Sequence, residues 1–295
     1  MELNKILDFA IMADETKNTH IKAGYTTKTK TYHNYLSNDC FNAFIEDMKL
    51  NNKTAWEMYG NGGGKELEER TSGTNVYPPK MASFGSSSRM IYNLMKNTNG
   101  FLFEKKLPTT VGGIANLDGF METPDKYVFV EAKCREPYTA KEKTIERKYE
   151  NLYEAITASD KTSLLCEITH INNKKMEVKF FSGKTEILHF DIKQMISHLL
   201  GVATAFLNGT FTNKAIDFIY LLYNPTHIGF NNEKDKIHDI YKQTCDECDC
   251  IDFKNLFTVI TEYLQQVKDI GKDKDAKTII NSFSFRLCDQ TDIKI

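Results

Sequence analysis

The chain has 295 residues, and its 38 Lys and Arg side chains nearly balance 40 Asp and Glu, which gives a formal net charge of −2. Its 41% hydrophobic and 26% charged residues are ordinary for a globular protein. This composition excludes a wholly disordered chain, a collagen-like fibre and a histone-like basic protein. A nucleic-acid partner stays open, because a basic patch can be local and a metal ion can supply positive charge.

The sequence pattern argues against secretion and against insertion in a membrane. The first 18 residues mix acids and bases with apolar residues, whereas a signal peptide has a continuous apolar core. The longest uncharged run, 195–213, contains His, Ser, Thr and Asn and is too polar for a membrane span of about 20 apolar residues. The seven cysteines are odd in number, which favours reduced thiols. We therefore expect a cytoplasmic protein without membrane association.

Loop-forming stretches rich in Gly, Pro and Ser separate an N-terminal part of about 80 residues from a region that alternates between helix and strand patterns. The pattern predicts a Ser-capped helix at 89–97, strands at 101–107, 117–121 and 127–133, a charged helix at 139–159, a strand at 176–181, a helix at 192–207 capped by Asp191, and a strand at 217–223. The chain is thus predicted to be an α/β protein with a central mixed sheet flanked by helices.

Three regions are predicted from these boundaries. Residues 1–80 form an N-terminal extension packed on the core. Residues 81–230 form the core itself, with an insertion near 134–185. Residues 231–295 form a mainly helical C-terminal region at the surface.

A predicted hairpin carries the chemistry. Pro124-Asp125 is a favourable turn centre, and a hairpin centred there pairs residue i with residue 249 − i. This register places Asp118 opposite Glu131, with Lys133 on the same face. Leu117, Gly119 and Met121 fall on the opposite, apolar face.

Two opposed carboxylates destabilise a hairpin unless something cationic lies between them. Mg²⁺ takes oxygen ligands from one or two carboxylates and leaves room for water and substrate phosphate. A neighbouring lysine can stabilise charge, or orient and deprotonate an attacking water. The hairpin therefore has the parts for metal-assisted attack on a phosphodiester. The alternative is a surface hairpin in which Lys133 pairs with one of the acids.

Asp118 followed by Glu131-Ala132-Lys133 on the next strand resembles the signature of the PD-(D/E)XK, or restriction-endonuclease-like, nucleases. The element order over 84–225 resembles the αβββαβ core of that superfamily. The resemblance implies that Asp118 and Glu131 hold Mg²⁺, that the Ala132 carbonyl adds a ligand, and that Lys133 serves the nucleophilic water. One departure is Asn116-Leu117, which stands where the signature has a proline. Two segments, GNGGGKELEE at 60–69 and PPKMASFGSSSRM at 78–90, are also similar to uncharacterised endonuclease-like proteins of bacteria.

Members of this superfamily add further residues to the site. By resemblance, Gln194 is a candidate auxiliary catalytic residue, although a polar residue near a helix N-terminus explains it equally. Glu66 is a candidate metal ligand, with Glu104 as its competitor and a solvated loop acid as the alternative. His198 is interpreted as a packing histidine. The segment 245–250, with three cysteines, is interpreted as an acidic loop with free thiols rather than a zinc site.

The resulting prediction is a Mg²⁺-dependent DNA endonuclease, a restriction or defence enzyme, in which Mn²⁺ can substitute. DNA is favoured over RNA, and a homodimer stays open. The alternative function is a catalytically inactive nucleic-acid-binding or structural protein with the same fold.

Overall fold

The computed structural model describes residues 3–17, 20–61, 66–139, 144–211, 214–227, 232–271, 280 and 282–293. Within these ranges the helices are α1 (Leu3–Glu15), α2 (Asn38–Asn51), α3 (Lys53–Asn61), α4 (Ser87–Met95), α5 (Glu150–Ala158), α6 (Ile192–Leu207), α7 (Asn232–Asp249) and α8 (Phe253–Val267). The strands are β1 (Ala23–Thr26), β2 (Thr31–Leu36), β3 (Arg70–Ser72), β4 (Asn75–Tyr77), β5 (Phe101–Thr109), β6 (Gly113–Glu122), β7 (Lys126–Lys133), β8 (Thr144–Glu146), β9 (Leu164–His170), β10 (Lys175–Ser182), β11 (Thr185–Glu186), β12 (Ala215–Leu222) and β13 (Phe283–Asp289).

The central element is an open, mixed sheet of five strands in the order β13-β12-β7-β6-β5. Strands β5, β6 and β7 are antiparallel neighbours, whereas β12 lies parallel to β7 and β13 parallel to β12. Parallel neighbours need a long crossover connection, and the segment between β7 and β12 supplies it. The chain is therefore an α/β protein, as predicted.

Helices cover both faces of this sheet. On one face α5, α6 and α8 pack over a core that includes Phe129 and Phe218. On the other face α1, α2, α3 and α4 pack over Val130 and Ile219. The near-continuous apolar sequences of β7 and β12 follow from this arrangement, because side chains alternate between two buried faces. In the described part of the chain, no helix is long and apolar enough to cross a membrane.

The predicted core elements are confirmed, with ends that shift by up to four residues. Helix α4 begins after Ser86, whose side chain accepts a hydrogen bond from the Arg89 N–H. Helix α6 begins after Asp191, whose side chain accepts a hydrogen bond from the Gln194 N–H. Strands β5, β6, β7, β10 and β12 lie at the five predicted positions. Local periodicity and capping chemistry were sufficient to locate these elements.

The predicted charged helix at 139–159 is wrong over its described first half. Strand β8 and a 3₁₀ turn, Arg147–Tyr149, precede the shorter α5, and 140–143 lie outside the described residues. Strand β8 pairs with β10 in a separate sheet that also contains β9 and β11. The three residues of β8 are extended because they pair with β10, which is distant in sequence. The local spacing of charged residues gives no information about this pairing.

The C-terminal region is not only helical, because β13 adds a parallel strand to the central sheet. Arg286 of β13 donates hydrogen bonds to both carboxylate oxygens of Asp217 on β12, at 3.0 and 2.7 Å. A bidentate pair of this kind fixes strand position as well as adding energy. The edge strand is only partly buried, so its apolar pattern is weak.

We expect Gly201→Ala to destabilise the protein. A Cβ atom at Gly201 of α6 would lie 2.7 Å from Ala115 Cβ and 3.2 Å from Leu107 Cβ, so the helix would be pushed off the sheet at a cost of about 1–3 kcal/mol. The matched control is Gly60→Ala in α3, where a Cβ would meet nothing within 4 Å. That change should stabilise the helix by roughly 0.5–1 kcal/mol. Urea unfolding measures both, and equal effects of the two substitutions would contradict this packing.

Candidate active site

The hairpin formed by β6 and β7 has the predicted register. Its pairs run from Glu122 with Tyr127 to Gly119 with Val130, so their residue numbers add to 249 throughout. The turn is fixed by Thr123, whose hydroxyl donates to Asp125 Oδ1 at 2.8 Å and accepts from the Lys126 N–H at 3.0 Å. The next pair of positions is Asp118 and Glu131.

The strands separate at Asp118 instead of continuing the ladder. Asp118 Oδ2 accepts a hydrogen bond from the Ala132 N–H at 2.8 Å. The ladder between β5 and β6 is also interrupted here, because Asp118 and Glu104 are not paired and Glu104 has a left-handed φ of 56°. Leu117 belongs to the same core as Phe120, and Met121 belongs to the core on the other face of the sheet, so the predicted face of Leu117 is wrong. This irregularity breaks the simple alternation at the residue that carries the carboxylate.

Glu131, Lys133 and Gln194 form a closed triangle of hydrogen bonds. Lys133 Nζ lies 2.5 Å from Glu131 Oε1 and 2.8 Å from Gln194 Oε1, and Gln194 Nε2 donates to Glu131 Oε1 at 2.8 Å. The lysine and glutamate side chains are 7% and 2% exposed. Strand alternation directs both towards α6, where Gln194 lies in the first turn. Sequence reasoning identified all three residues.

His198 lies one turn after Gln194 and faces the same carboxylate. Its Nε2 atom is 2.9 Å from Glu131 Oε2, and its side chain is 2% exposed. The contact is close without hydrogen-bond geometry, and neither ring nitrogen has a hydrogen-bond partner within the described part of the chain. The i to i+4 spacing from Gln194 was the signal that could have connected this histidine with the site.

The ionisable groups of the cleft have strongly shifted pKa values. Burial acts to raise the pKa of Glu131, but the Lys133 charge, the close approach of His198 and the Lys133 hydrogen bond outweigh burial and lower it to about 2. Burial acts to lower the pKa of Lys133, and Glu131 holds it well above its ordinary value. Burial, followed by repulsion from Glu131, raises the pKa of Asp118 well above its ordinary range. Glu131 and Lys133 are therefore an ion pair, and Asp118 resists ionisation.

These residues border one cleft of about 220 Å³. Its lining consists of Glu66, Lys80, Gly85, Ser86, Ser87, Ser88, Asp118, Glu131, Lys133, Arg135, Glu136 and Gln194. The side chains of Asp118, Glu131, Lys133, Gln194 and Glu66, far apart in sequence, thus meet at one place. Ala132 lies between two of them and donates its N–H to a third.

Glu66 is not a solvated loop acid. It is 7% exposed, and its Oε1 atom lies 3.0 Å from Lys80 Nζ. Its competitor Glu104 is close, since burial and then the charge of Glu66 raise the pKa of Glu104. The glycine-rich segment before Glu66 lies outside the described residues from 62 to 65.

Sequence reasoning missed Lys80 and Arg135, which add positive charge to the cleft. Arg135 Nη1 donates to Asp8 Oδ2 at 3.1 Å and to Ser83 Oγ at 3.3 Å. Asp8 is 1% exposed, so α1 holds the arginine from a distant part of the chain. The available signal was the position of Arg135 two residues after Lys133, just beyond the end of β7.

The donor atoms in the described residues are not arranged as a complete metal cage. No group of three or more His, Cys, Asp or Glu side chains among the described residues is placed to hold a metal ion. Cys245 and Cys248 lie in α7 rather than in the predicted loop, and Cys250 follows the helix. All three are free thiols, as predicted.

We expect the stability of the fold to depend on Glu131 in acid. Because its folded pKa of about 2 lies below the unfolded value near 4.3, its stabilisation is complete above about pH 4.5. It is lost as the pH falls towards 2, and amounts to about 3 kcal/mol. Urea unfolding across this window should therefore show a flatter pH dependence for Glu131→Gln than for the wild type. If the free energy of unfolding changed with pH in the same way in both proteins, the assigned ion pair would be contradicted.

The cleft combines four carboxylates, a buried ammonium group and an amide at the end of the central strand β7, with two further cations at its rim. This combination suits a ligand that carries negative charge and needs a cation to approach the carboxylates. Comparison of the chain with protein-family models, with curated proteins and with solved structures gives no match in any of the three.

Proposed function

We propose that this chain is a Mg²⁺-dependent DNA endonuclease of the PD-(D/E)XK, restriction-endonuclease-like type, with Mn²⁺ as a substitute. The observation that carries the proposal is the meeting of Asp118 with the Glu131–Lys133–Gln194 triangle in one cleft. The succession of α4, β5, β6, β7, α6 and β12 supports it, because this order matches the αβββαβ core that the sequence motif implies.

The donor chemistry of the cleft fits a hard divalent cation. Asp118 and Glu131 would hold it, with the Ala132 carbonyl as a further oxygen donor and Glu66 as an additional acid. Mg²⁺ is usually bound by one or two carboxylates together with waters and substrate phosphates, rather than by a full protein cage. When bound, the ion supplies charge neutralisation at the phosphate and a more acidic water.

Lys133 acts as an ammonium group in this mechanism. Its raised pKa makes it a poor proton acceptor. It is therefore expected to stabilise charge and to orient the attacking water, rather than to deprotonate that water. An ammonium group pre-positioned in a closed site stabilises the charge that develops on the phosphate oxygens. In the reaction a water oxygen bonds to phosphorus and passes its proton to solvent, while the bridging P–O bond breaks and the leaving oxygen takes up a proton from solvent.

Gln194 acts as the positioning residue of the triangle. It donates to Glu131 and accepts from Lys133, each at 2.8 Å, and its backbone N–H is held by the Asp191 cap at 3.1 Å. The amide therefore links the start of α6 to both charged groups. Catalytic geometry requires this kind of support, because small displacements of a catalytic group are costly.

The proposal predicts metal-dependent cleavage of DNA. Plasmid and varied DNAs are incubated with the purified protein in Mg²⁺ or Mn²⁺, beside Asp118→Ala and Lys133→Ala variants. We expect cleavage by the wild type and a loss of about 10³-fold or more in each variant, since each removes a group that acts on transition-state charge. Lys53→Met, at an exposed side chain of α3 that does not line the cleft, serves as the matched control and should cleave normally. Equal cleavage by wild type and both site variants would place the activity elsewhere.

A further inference from the structure

A second cavity, of about 250 Å³, adjoins the candidate active site, because Gln194 borders both. Its lining consists of Ile145, Tyr149, Tyr153, Asp191, Lys193, Gln194 and Ser197. We infer that this cavity is a base subsite, which binds one unstacked nucleobase of single-stranded DNA next to the scissile phosphate. The inference rests on the proposed function, since it takes the phosphate to lie in the carboxylate cleft.

One wall of the base subsite is aromatic. The rings of Tyr149 and Tyr153 have centroids 6.2 Å apart and are inclined by 30°. Tyr153 is 1% exposed and packs edge-on against Phe180, so the position of its ring is fixed by the core. Tyr149 is only partly buried and has surface in the cavity. Aromatic side chains of this kind are the surfaces on which proteins stack the bases of single strands.

The other side chains that line the cavity are mostly polar and carry both signs of charge. Asp191, Gln194 and Ser197 follow one another at three-residue steps, so they line the same side of the start of α6. Lys193 reaches over this end, where its Nζ donates to the Thr144 carbonyl at 3.0 Å. The carboxylate, the hydroxyl and the ammonium group together provide donors and acceptors, whereas the Gln194 amide is already bonded to Glu131 and Lys133. This mixture suits the edge of a base, whereas a bare phosphate would be repelled by Asp191.

The size of the cavity limits its occupant. At about 250 Å³ it is smaller than the pockets of roughly 300–1,000 Å³ that enclose drug-sized ligands, so it accommodates one ring system rather than a whole nucleotide. A base inside a duplex is stacked on both sides and cannot enter. The substrate must therefore be single-stranded or locally opened at this nucleotide, as in other enzymes that bind an extruded base.

The test measures binding without cleavage. Fluorescence anisotropy in EDTA compares labelled eight-nucleotide oligo(dA) with an abasic oligomer of the same length, which keeps the phosphates and lacks the bases. The wild type should bind oligo(dA) more tightly. Tyr149→Ala should weaken oligo(dA) binding by about 5- to 150-fold and leave abasic binding unchanged. Tyr149→Leu keeps the apolar packing of the side chain and should also weaken oligo(dA) binding. Tyr77→Leu, a partly buried tyrosine of β4 outside the cavity lining, is the matched control and should bind as the wild type does.

Equal binding of the two oligomers by the wild type, no binding of either, or wild-type binding by folded Tyr149→Leu would each overturn the base subsite. The result is separable from the nuclease proposal because metal is absent. If the protein prefers oligo(dA) through Tyr149 but cleaves no DNA, the base subsite is supported and the nuclease proposal is contradicted. If the protein cleaves DNA with metal but its oligo(dA) binding does not depend on Tyr149, only the base subsite is contradicted.

Discussion

Lys133→Met is expected to lower the free energy of unfolding by about 3–5 kcal/mol. The substitution keeps the apolar length of the side chain but leaves Glu131, 2% exposed, as a buried charge with Gln194 as its remaining hydrogen-bond donor. Removing one partner of a buried ion pair is costly for this reason, whereas replacing both partners together is often tolerated. The double variant Glu131→Gln/Lys133→Met should therefore recover most of the loss. Urea unfolding of the two singles and the double near pH 7 measures the coupling.

The matched control for this cycle is an exposed pair in α3. Lys53 and Glu57 lie 3.6 Å apart with side chains 81% and 56% exposed, and such pairs are worth about 0.3–0.5 kcal/mol. Lys53→Met should thus change stability very little. If the losses at Glu131 and Lys133 were simply additive, the two residues would not be the mutually dependent pair described above.

Asp118→Asn is expected to have opposite effects on stability with and without metal. Burial and Glu131 raise the folded pKa of Asp118, so its ionised form costs stability at any pH above its unfolded pKa of about 3.9. Asparagine removes that cost and can still accept the Ala132 N–H, so the metal-free melting temperature should rise. In the wild type, Mg²⁺ or Mn²⁺ at a hundredfold excess over its dissociation constant should add about 2.7 kcal/mol. The variant should lose most of this response.

The control for the metal response is Asp125→Asn in the turn of the same hairpin. Asp125 is exposed and accepts a hydrogen bond from the Thr123 hydroxyl at 2.8 Å, which an asparagine oxygen can also accept. Thermal unfolding of this variant should show the full metal response. A response that survives in Asp118→Asn, or that disappears in Asp125→Asn, would show that Asp118 is not the ligand.

The hairpin and the sheet core could be predicted because their signals are local. The Pro124-Asp125 turn fixes the register of β6 and β7, and a register shift of one residue would turn every side chain to the wrong face. The caps at Ser86 and Asp191 fix the starts of α4 and α6. The positions of Glu131, Lys133 and Gln194 then follow from strand alternation and from the first turn of a helix, whereas Asp118 lies where that alternation breaks.

The contacts that could not be predicted join residues far apart in sequence. Asp8 and Arg135 are separated by 127 residues, and no periodic pattern relates α1 to the end of β7. The same holds for Arg286, which ties the partly buried β13 to Asp217. The irregular pairing at Glu104 could not be predicted from the sequence either. A left-handed φ at a non-glycine residue is imposed by tertiary structure rather than by local preference.

The most direct test of the proposed metal-dependent centre is a calorimetric titration of the protein with Mn²⁺, because it requires no knowledge of a recognition sequence. The proposal predicts saturable heat in the wild type and in Asp125→Asn, and its loss in Asp118→Asn and in Glu131→Gln. Absence of heat in the wild type, or undiminished heat in Asp118→Asn, would contradict a metal site in this cleft. Either result would favour the catalytically inactive nucleic-acid-binding or structural protein instead.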